Sequence, residues 1–417
     1  MEDYSSSYPS PHVLTSGAKI PRYGIVLETF HHERTTMSLA PTTPTLPVEL
    51  LAQIIIEASA SDPAITAVVM RVSRSWYNIT INEPRLWSKV SLNLSSSPSS
   101  HVLAMQTARR CIERSGSVDL DITIHITNKD APCECYKDDG NPVCQRWMSY
   151  IDSQCSPIEV LAGSDGNHLA RWCRLEICND MTSEDLQAAW VDRVLSPLID
   201  GRPTPRLQTL SFRGWYDVRL SFCHTPLLQE VALQKAASLH IANWGGVKKL
   251  RIAGTPPQSL VENGAYTSMT RLILHVPIRC SELTLPNVTD LEILERHGGP
   301  YILEFPTLPR VQNILISTIP NDQLHTFPLH RYPTMRRLSL RYPYNSRPPV
   351  LFTASLFGFL TSSCANLEEL DVSSSLLDIV EPMTKYLPNL KRLFVLGKEV
   401  ESWPANAADS SICRSDQ

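Results

Sequence analysis

The chain contains 417 residues, of which 42% are hydrophobic and 19% charged, and its formal net charge is −4. This composition is typical of a globular protein with a sizeable core, and the length allows two or three domains. A weakly acidic chain has no general attraction for nucleic acid or acidic membranes, so we expect neither as a partner. Glycine is scarce (16 residues) and proline abundant (32), which disfavours phosphate-binding loops and favours short elements separated by turns.

Signals for secretion and membrane insertion are missing from the sequence. The N-terminal stretch has neither a basic nor an apolar segment of signal-peptide type, and no run reaches the roughly 18 apolar residues of a membrane span. We therefore expect a cytoplasmic or nuclear protein whose 11 cysteines stay reduced. The Ser-, Thr- and Pro-rich residues 1–44 are predicted to be disordered, as is the tail 401–417.

Residues 45–94 predict two short amphipathic helices and a closing strand. The first helix carries a broad apolar stripe, and the second follows the start signal Asp62-Pro63 with helical apolar spacing from Ile65 to Ile79. Pro84 then interrupts the pattern, and residues 90–94 alternate between apolar and polar as a strand does. Helices this short are marginal in isolation, so they must gain stability by packing on something else.

This segment resembles the F-box, in the form common among fungal F-box-like proteins. Three ordered submotifs carry the resemblance: Leu46, Pro47, Glu49, Leu50, Leu51 and Ile54; Val72, Arg74 and Trp76; and Pro84, Leu86 and Trp87. Ser73 departs from the family pattern, in which Cys is frequent at that position. The alternative is a plain helical subdomain whose Leu and Trp residues fill its own core.

The F-box resemblance implies docking on the Skp-type adaptor of a cullin–RING ubiquitin ligase. It assigns adaptor binding to seven apolar residues: Leu46, Pro47, Leu50, Leu51, Ile54, Val72 and Leu86. Trp76 and Trp87 are assigned to the core instead. The apolar stripe is broader than a lone domain of this size needs, which favours a partner.

A second architecture is predicted to follow through a linking helix at residues 95–117, with Gly116 as its C-cap. From residue 118 onward, the pattern apolar-x-x-apolar-x-apolar recurs, and its central positions step by 19 to 24 residues with one step of 32. Those central positions are Leu210, Val231, Leu250, Leu272, Leu291, Ile314, Leu338, Leu370 and Leu393, with a weaker copy at Leu175. Proline often precedes the strand, consistent with an entering turn.

These units resemble a divergent leucine-rich repeat. The predicted fold class is therefore α/β: a small all-α F-box followed by a leucine-rich-repeat-like solenoid, or horseshoe, over residues 118–400. None of the nine units has Asn or Cys where the asparagine ladder of standard repeats would lie. The alternative is an ordinary α/β domain with several leucine-rich strands.

The residues between the apolar strand positions are predicted to form a concave face for a protein substrate. Its charges alternate in basic and acidic blocks, which fits a protein or peptide partner better than a nucleic acid. The predicted substrate-binding residues are Arg213, Lys249, Arg251, Arg271, His275, Asp290, Glu292, Arg337, Arg341, Glu369, Asp371 and Arg392. The simpler interpretation of any one of these charges is a solvated strand face.

Catalytic motifs of the nucleotide-binding and hydrolase types are absent from the sequence, and we expect no cofactor. The cysteine cluster Cys133, Cys135, Cys144 and Cys155 has spacings unlike those of zinc sites, so we expect reduced thiols and no metal. The favoured hypothesis is a non-catalytic substrate receptor of an SCF-type ubiquitin ligase. The alternatives are a ligase-independent repeat scaffold with a structural F-box and, with little support, an enzyme.

Overall fold

A computed structural model describes much of the chain. The predicted disordered ends, residues 1–44 and 401–417, lie outside the described residues. The described residues are 46–61, 64–95, 98–127, 145–163, 165–181, 184–214, 219–234, 239–254, 256–263, 266–279, 283–295, 303–317, 331–341, 356, 358, 360 and 366–400. Residues from Val48 onward form one compact unit, and Leu46 and Pro47 belong to the preceding one. No described helix combines the length and the apolarity that crossing a bilayer requires.

Three short helices open the described chain: α1 (Val48–Ser61), α2 (Ala64–Val69) and α3 (Arg74–Asn82). The sequence predicted one helix where α2 and α3 lie, and this prediction was wrong. The break falls at Ser73, whose backbone is extended and whose Oγ accepts a hydrogen bond from the Trp76 backbone N–H at 3.2 Å. Serine in this position caps a new helix, because it satisfies a backbone donor that the first turn leaves free.

Strand β1 (Lys89–Leu94) and the long helix α4 (Pro98–Ser115) complete this part of the chain. The predicted C-cap is confirmed, since Gly116 follows α4 with φ +55°, a conformation that costs glycine little. Helix α4 packs against β1, so the linking helix is part of the folded unit.

One large sheet dominates the rest of the described chain. After β1 come β2 (Leu120–Ile126), β3 (Trp172–Asn179), β4 (Thr209–Arg213), β5 (Ser221–Phe222), β6 (Glu230–Gln234), β7 (His240–Ile241), β8 (Lys249–Gly254), β9 (Arg271–Arg279), β10 (Asp290–Glu295), β11 (Leu303–Glu304), β12 (Asn313–Ser317), β13 (Arg337–Arg341), β14 (Glu369–Val372), β15 (Arg392–Val395) and β16 (Lys398–Glu399). Fourteen of these described strands form the sheet, and β5 pairs with β7 in a separate ribbon. Neighbours in the sheet are parallel and follow chain order, except that β11 pairs off the main path and β16 returns antiparallel.

The nine predicted strand positions are confirmed, because every central residue of the repeat lies on a strand of this sheet. They also stand directly opposite one another, as in Leu210↔Val231, Leu250↔Leu272 and Leu338↔Leu370. All nine are buried in one continuous core. Strictly alternating side chains fix this register, since a shift of one residue would expose the whole apolar row.

As predicted, prolines lie in the turns that lead into the strands. Pro205 and Pro333 each occupy the second position of a turn, closed by Leu207 N–H to Thr204 C=O at 3.1 Å and Met335 N–H to Tyr332 C=O at 3.1 Å. Polar side chains then join one turn to the preceding turn. Asn366 Nδ2 donates to the Pro333 carbonyl at 2.9 Å, and other turns use Asn287 and Thr334 in the same way. These bonds link successive units without the asparagine ladder that the sequence lacks.

The remaining described helices are α5 (Gln145–Ala162), α6 (Glu184–Trp190), α7 (Ser196–Ile199), α8 (Gln258–Asn263) and α9 (Ser374–Val380). A π-helical turn, Val191–Leu195, joins α6 to α7. Fully buried Trp172 and Trp190 share the sheet's core, which leaves the opposite, charged face of the sheet for other contacts.

Candidate functional site

A small hydrophobic cluster holds the three N-terminal helices together. Leu51, Ile55 and Val69 are its buried members, with Trp76 and Ile79 packed against it. Leu51 is only 8% exposed, so almost none of its side chain is accessible to a partner. This corrects the prediction that Leu51 binds an adaptor: successive helical residues lie about 100° apart, and Leu51 belongs to the inward side.

The opposite side of α1 presents large apolar side chains to solvent. Leu50 is 53% exposed and Ile54 is 51% exposed, and their spacing of four places them on one face of the helix. Val72 is 57% exposed after α2. The predicted residues Leu46 and Pro47, immediately before α1, are exposed as well. Exposed apolar surface at Leu50, Ile54 and Val72 is what a docking surface requires.

Leu86 and Trp87 connect the helices to the sheet. Trp87 is buried in the core of the sheet, donates from Nε1 to the Thr80 carbonyl at 2.9 Å, and carries the Arg114 guanidinium 4.4 Å above its ring. Leu86 is half-buried and packs against both the small helical cluster and the sheet core. The core role predicted for Trp87 is confirmed, whereas Leu86 has less free surface than the prediction of adaptor contact requires.

Comparison with protein families finds a match at this part of the chain. The F-box-like family model matches residues 43–93. Residues 43–93 form an F-box-like domain. No curated protein matches the chain. The family match ends within β1, so the last strand of the F-box-like domain is also the first strand of the large sheet.

The F-box-like domain holds most of the exposed large apolar surface of the described chain. Such residues number twelve, and seven fall within it: Leu46, Val48, Leu50, Ile54, Val68, Val72 and Tyr77. Sequence reasoning missed Val48, Val68 and Tyr77. It included Val68 only as a member of the helical apolar series from Ile65 to Ile79, and the signal that marks the break in that series is Ser73, a strong helix N-cap type.

We expect Ser73→Ala to destabilise α3 by about 1 kcal/mol, because the Trp76 backbone N–H loses its acceptor. Hydrogen exchange at the amides of α3 measures this local loss. Ser73→Thr keeps a hydroxyl at the cap and is the matched control. Equal exchange in the alanine variant and the parent would show that the cap does not stabilise the helix.

The predicted concave face is a charged face whose ions largely pair with one another across strands. Lys249 Nζ lies 2.6 Å from Glu230 Oε1, and Arg271 Nη2 lies 2.9 Å from Glu292 Oε2. Further pairs join Arg213 to Glu176, Arg337 and Arg392 to Glu369, and Arg341 to Asp371. Asp290 accepts from Asn313 Nδ2 at 2.8 Å. The alternating blocks in the sequence therefore largely compensate each other within the sheet.

The prediction that Asp371 binds substrate is also corrected, because its side chain is buried in the interior. The residue is 2% exposed and accepts hydrogen bonds from Ser339 Oγ (3.2 Å), both Arg341 Nη atoms (3.0 and 2.7 Å) and the Gly397 backbone N–H (3.1 Å). Burial pushes the pKa of Asp371 upward, but these donors outweigh it and hold the pKa below its usual value. Asp371 thus stabilises the last parallel strands.

One pocket opens on the charged face across β3, β4, β6, β8 and β9, and it includes the carboxyl ends of β3, β4 and β6. Its volume is about 460 Å³. The lining includes three predicted face residues, Arg213, Arg251 and His275, together with Asn179 and Gln234. Sequence reasoning placed the three on one face but did not identify the pocket, because a concavity depends on which neighbouring side chains are small.

The cysteine cluster of the sequence lies mostly outside the described residues. Cys155 is described: it is half-buried on α5, and its thiol lies 3.7 Å from the Arg193 carbonyl. Cys133, Cys135 and Cys144 are not among the described residues. Within the described part of the chain, no group of three His, Cys, Asp or Glu side chains is placed to hold a metal.

Proposed function

We propose that this chain is a substrate-recognition subunit of an SCF-type cullin–RING ubiquitin ligase. The observation that carries the proposal is the concentration of exposed apolar side chains, including Leu50, Ile54 and Val72, in the F-box-like domain. F-box-like domains generally bind Skp-type adaptors, and apolar side chains at a surface are costly unless a partner covers them. The adaptor would link this chain to the cullin–RING ligase.

We infer further that the sheet is a divergent leucine-rich-repeat solenoid, in a protein of the fungal F-box-like kind. Three features support the repeat: one strand per unit, parallel pairing in chain order, and an aligned apolar row. In such an architecture each unit contacts its neighbours, and the outward residues are free to vary. The charged face would then bind a protein substrate.

In the proposed mechanism, this chain brings a substrate close to the ligase and does not itself catalyse a reaction. Holding a substrate beside the ligase turns a bimolecular transfer of ubiquitin into an effectively intramolecular one. The chain would act in the cytoplasm or the nucleus, without a cofactor. We assign no catalytic residue to it, and we propose neither nucleic acid nor membrane as a partner.

A second function, a ligase-independent interaction scaffold, is favoured by one specific observation. Trp87 is buried in the sheet core and β1 pairs with β2, so the F-box-like domain also builds one end of the sheet. A domain that supplies the terminal strand of the sheet has a structural use even without an adaptor.

Co-purification distinguishes the ligase proposal from the scaffold proposal. We expect the full-length chain, co-expressed with a Skp-type adaptor, to elute with it as a stoichiometric complex that also captures a cullin. A folded chain that elutes free of the adaptor would overturn the ligase proposal and leave the scaffold. Circular dichroism of the same sample establishes that the chain is folded.

A further inference from the structure

The ion pairs of the charged face leave one predicted cation without a carboxylate. Of its seven predicted arginines and lysines, six lie within 4 Å of a carboxylate oxygen: Arg213, Lys249, Arg271, Arg337, Arg341 and Arg392. Arg251 has no carboxylate partner among the residues that the structure describes. Its Nε donates to His275 Nε2 at 2.7 Å, which fixes the side chain and leaves the two Nη nitrogens as donors.

Small side chains next to Arg251 create the pocket into which it faces. Ala232 lies directly opposite Arg251 on the neighbouring strand, and Ala253 lies between Gln234 and His275 in the next row. Most other units carry longer side chains in these rows. The alanines therefore make room beside a guanidinium that is already oriented, and both line the pocket together with Arg251.

One buried donor among the described pocket residues lacks an acceptor. Asn179 is 5% exposed, lines the pocket, and has an Nδ2 with no hydrogen-bond partner among the described residues. Burial raises the pKa of Cys178, which also lines the pocket, to about 11, so its sulfur is a neutral thiol. A buried donor without an acceptor is costly, and a ligand oxygen would remove that cost.

The charges around the pocket disfavour a doubly charged ligand. Arg213 is already paired with Glu176 at 2.9 Å, and Asp180 lines the pocket too. A phosphate dianion would meet twice the repulsion from Asp180 that a single carboxylate meets, and Arg251 is the pocket arginine left without a carboxylate partner among the described residues. Two Nη donors side by side also fit the two oxygens of a carboxylate.

We propose that this pocket binds a carboxylate of the protein substrate, with Arg251 as its main partner. The inference rests on the proposed function, since it names the chemical class of the substrate: a segment that presents an aspartate or glutamate side chain, or a free C-terminal carboxylate. Gln234 and His275 line the sides of the pocket, and Arg251 provides the specificity.

Selection from a peptide library tests the proposal on the full-length chain. The probe is a library of random N-acetylated octapeptides in two arms, one with amidated C-termini and one with free C-termini, and with phosphoserine among the residues. Bound peptides are identified by mass spectrometry. We expect enrichment of Asp or Glu in the amidated arm if a side chain supplies the carboxylate. Binding of the free-terminus arm alone would assign the C-terminus as its source.

Arg251→Gln is expected to reduce binding of the selected peptides about 10-fold or more. Arg251→Lys keeps the positive charge but loses the two parallel Nη donors of the guanidinium, so it should bind more strongly than Arg251→Gln and more weakly than the parent. Arg193→Gln is the matched control, because Arg193 is paired with Asp152 at 3.0 Å and lies outside both the charged face and the pocket lining. The proposal fails if peptides without any carboxylate are selected, if phosphoserine is preferred, or if Arg251→Gln binds like the parent.

Adaptor binding keeps the two proposals distinguishable. Arg251→Gln should co-purify with the Skp-type adaptor as the parent does, since Arg251 lies outside the F-box-like domain. A chain that selects carboxylate peptides but binds no adaptor would retain the pocket and overturn the ligase proposal. A chain that binds the adaptor but selects no acidic peptides would retain the ligase proposal and overturn the carboxylate pocket.

Discussion

We expect the double variant Leu50→Asp with Ile54→Asp to lose at least about 100-fold in affinity for a Skp-type adaptor. Both side chains are about half exposed on one face of α1, so the folded chain tolerates aspartate there. In a complex, each aspartate would bury a charge without a partner and remove an apolar anchor. A loss of about 100-fold corresponds to roughly 2.7 kcal/mol, which two anchors readily supply. Titration calorimetry against purified adaptor measures the loss.

The matched control places the same chemical change elsewhere on a helix. Val102 and Leu103 on α4 are 51% and 64% exposed and lie outside the F-box-like domain. Val102→Asp with Leu103→Asp should bind adaptor as the parent does. If both double variants bind normally, α1 is not the docking surface; if both fail, aspartate acts through solubility or folding and the assignment to α1 is lost.

Replacement of Asp371 by alanine is expected to lower the free energy of unfolding by about 3 kcal/mol. The change leaves Arg341 without its bidentate partner and the Gly397 backbone N–H without an acceptor. Removing one member of a buried pair is costly, because the other member stays desolvated and unpaired. Urea unfolding followed by circular dichroism gives the loss, and hydrogen exchange in β13 to β15 localises it.

A cross-strand ion pair in a more exposed position provides the control for Asp371. Glu230 pairs with Lys249 at 2.6 Å, but both side chains keep about a third of their surface, 37% and 34%. Glu230→Ala should therefore cost below about 1 kcal/mol. Equal losses in the two alanine variants would show that burial of Asp371 does not decide its contribution.

The contribution of Asp371 should also depend on pH in one direction. Its pKa in the folded chain is lowered, so the carboxylate stabilises the fold above the ordinary aspartate pKa of about 3.9 and stops doing so as the pH falls. The difference in unfolding free energy between parent and Asp371→Ala should be constant near neutral pH and shrink below about pH 4. A difference that grows with acidity would contradict this ion pair.

The strands were predictable because burial of alternate residues leaves a pattern in the sequence. Every unit repeats an apolar triplet such as Leu207, Leu210 and Phe212, and the parallel pairing follows from placing one such strand beside the next. The break between α2 and α3 was not predicted, since apolar spacing continues through Ser73 and only the cap interrupts the backbone.

The candidate sites were less predictable, since they depend on contacts between units. A sequence shows that Asp371 and Arg341 carry charges on neighbouring strands, but not that they bury one another. The pocket at Arg251 arises from Ala232 on the adjacent strand, some twenty residues earlier in the chain. Such cross-strand relations become visible only when the register is known.

In the proposed function, the strand shared by the F-box-like domain and the sheet fixes the distance between adaptor and substrate. Five strand spacings separate β1 from β8, which carries Arg251. At about 4.8 Å per spacing, Arg251 lies about 24 Å along the sheet from β1. Inserting one whole unit between them would move a bound substrate outward by a single step of about 4.8 Å while keeping its orientation nearly unchanged. In the proposed ligase, the distance from the substrate to the ubiquitin-carrying subunit would therefore change in discrete steps with the number of proposed repeats.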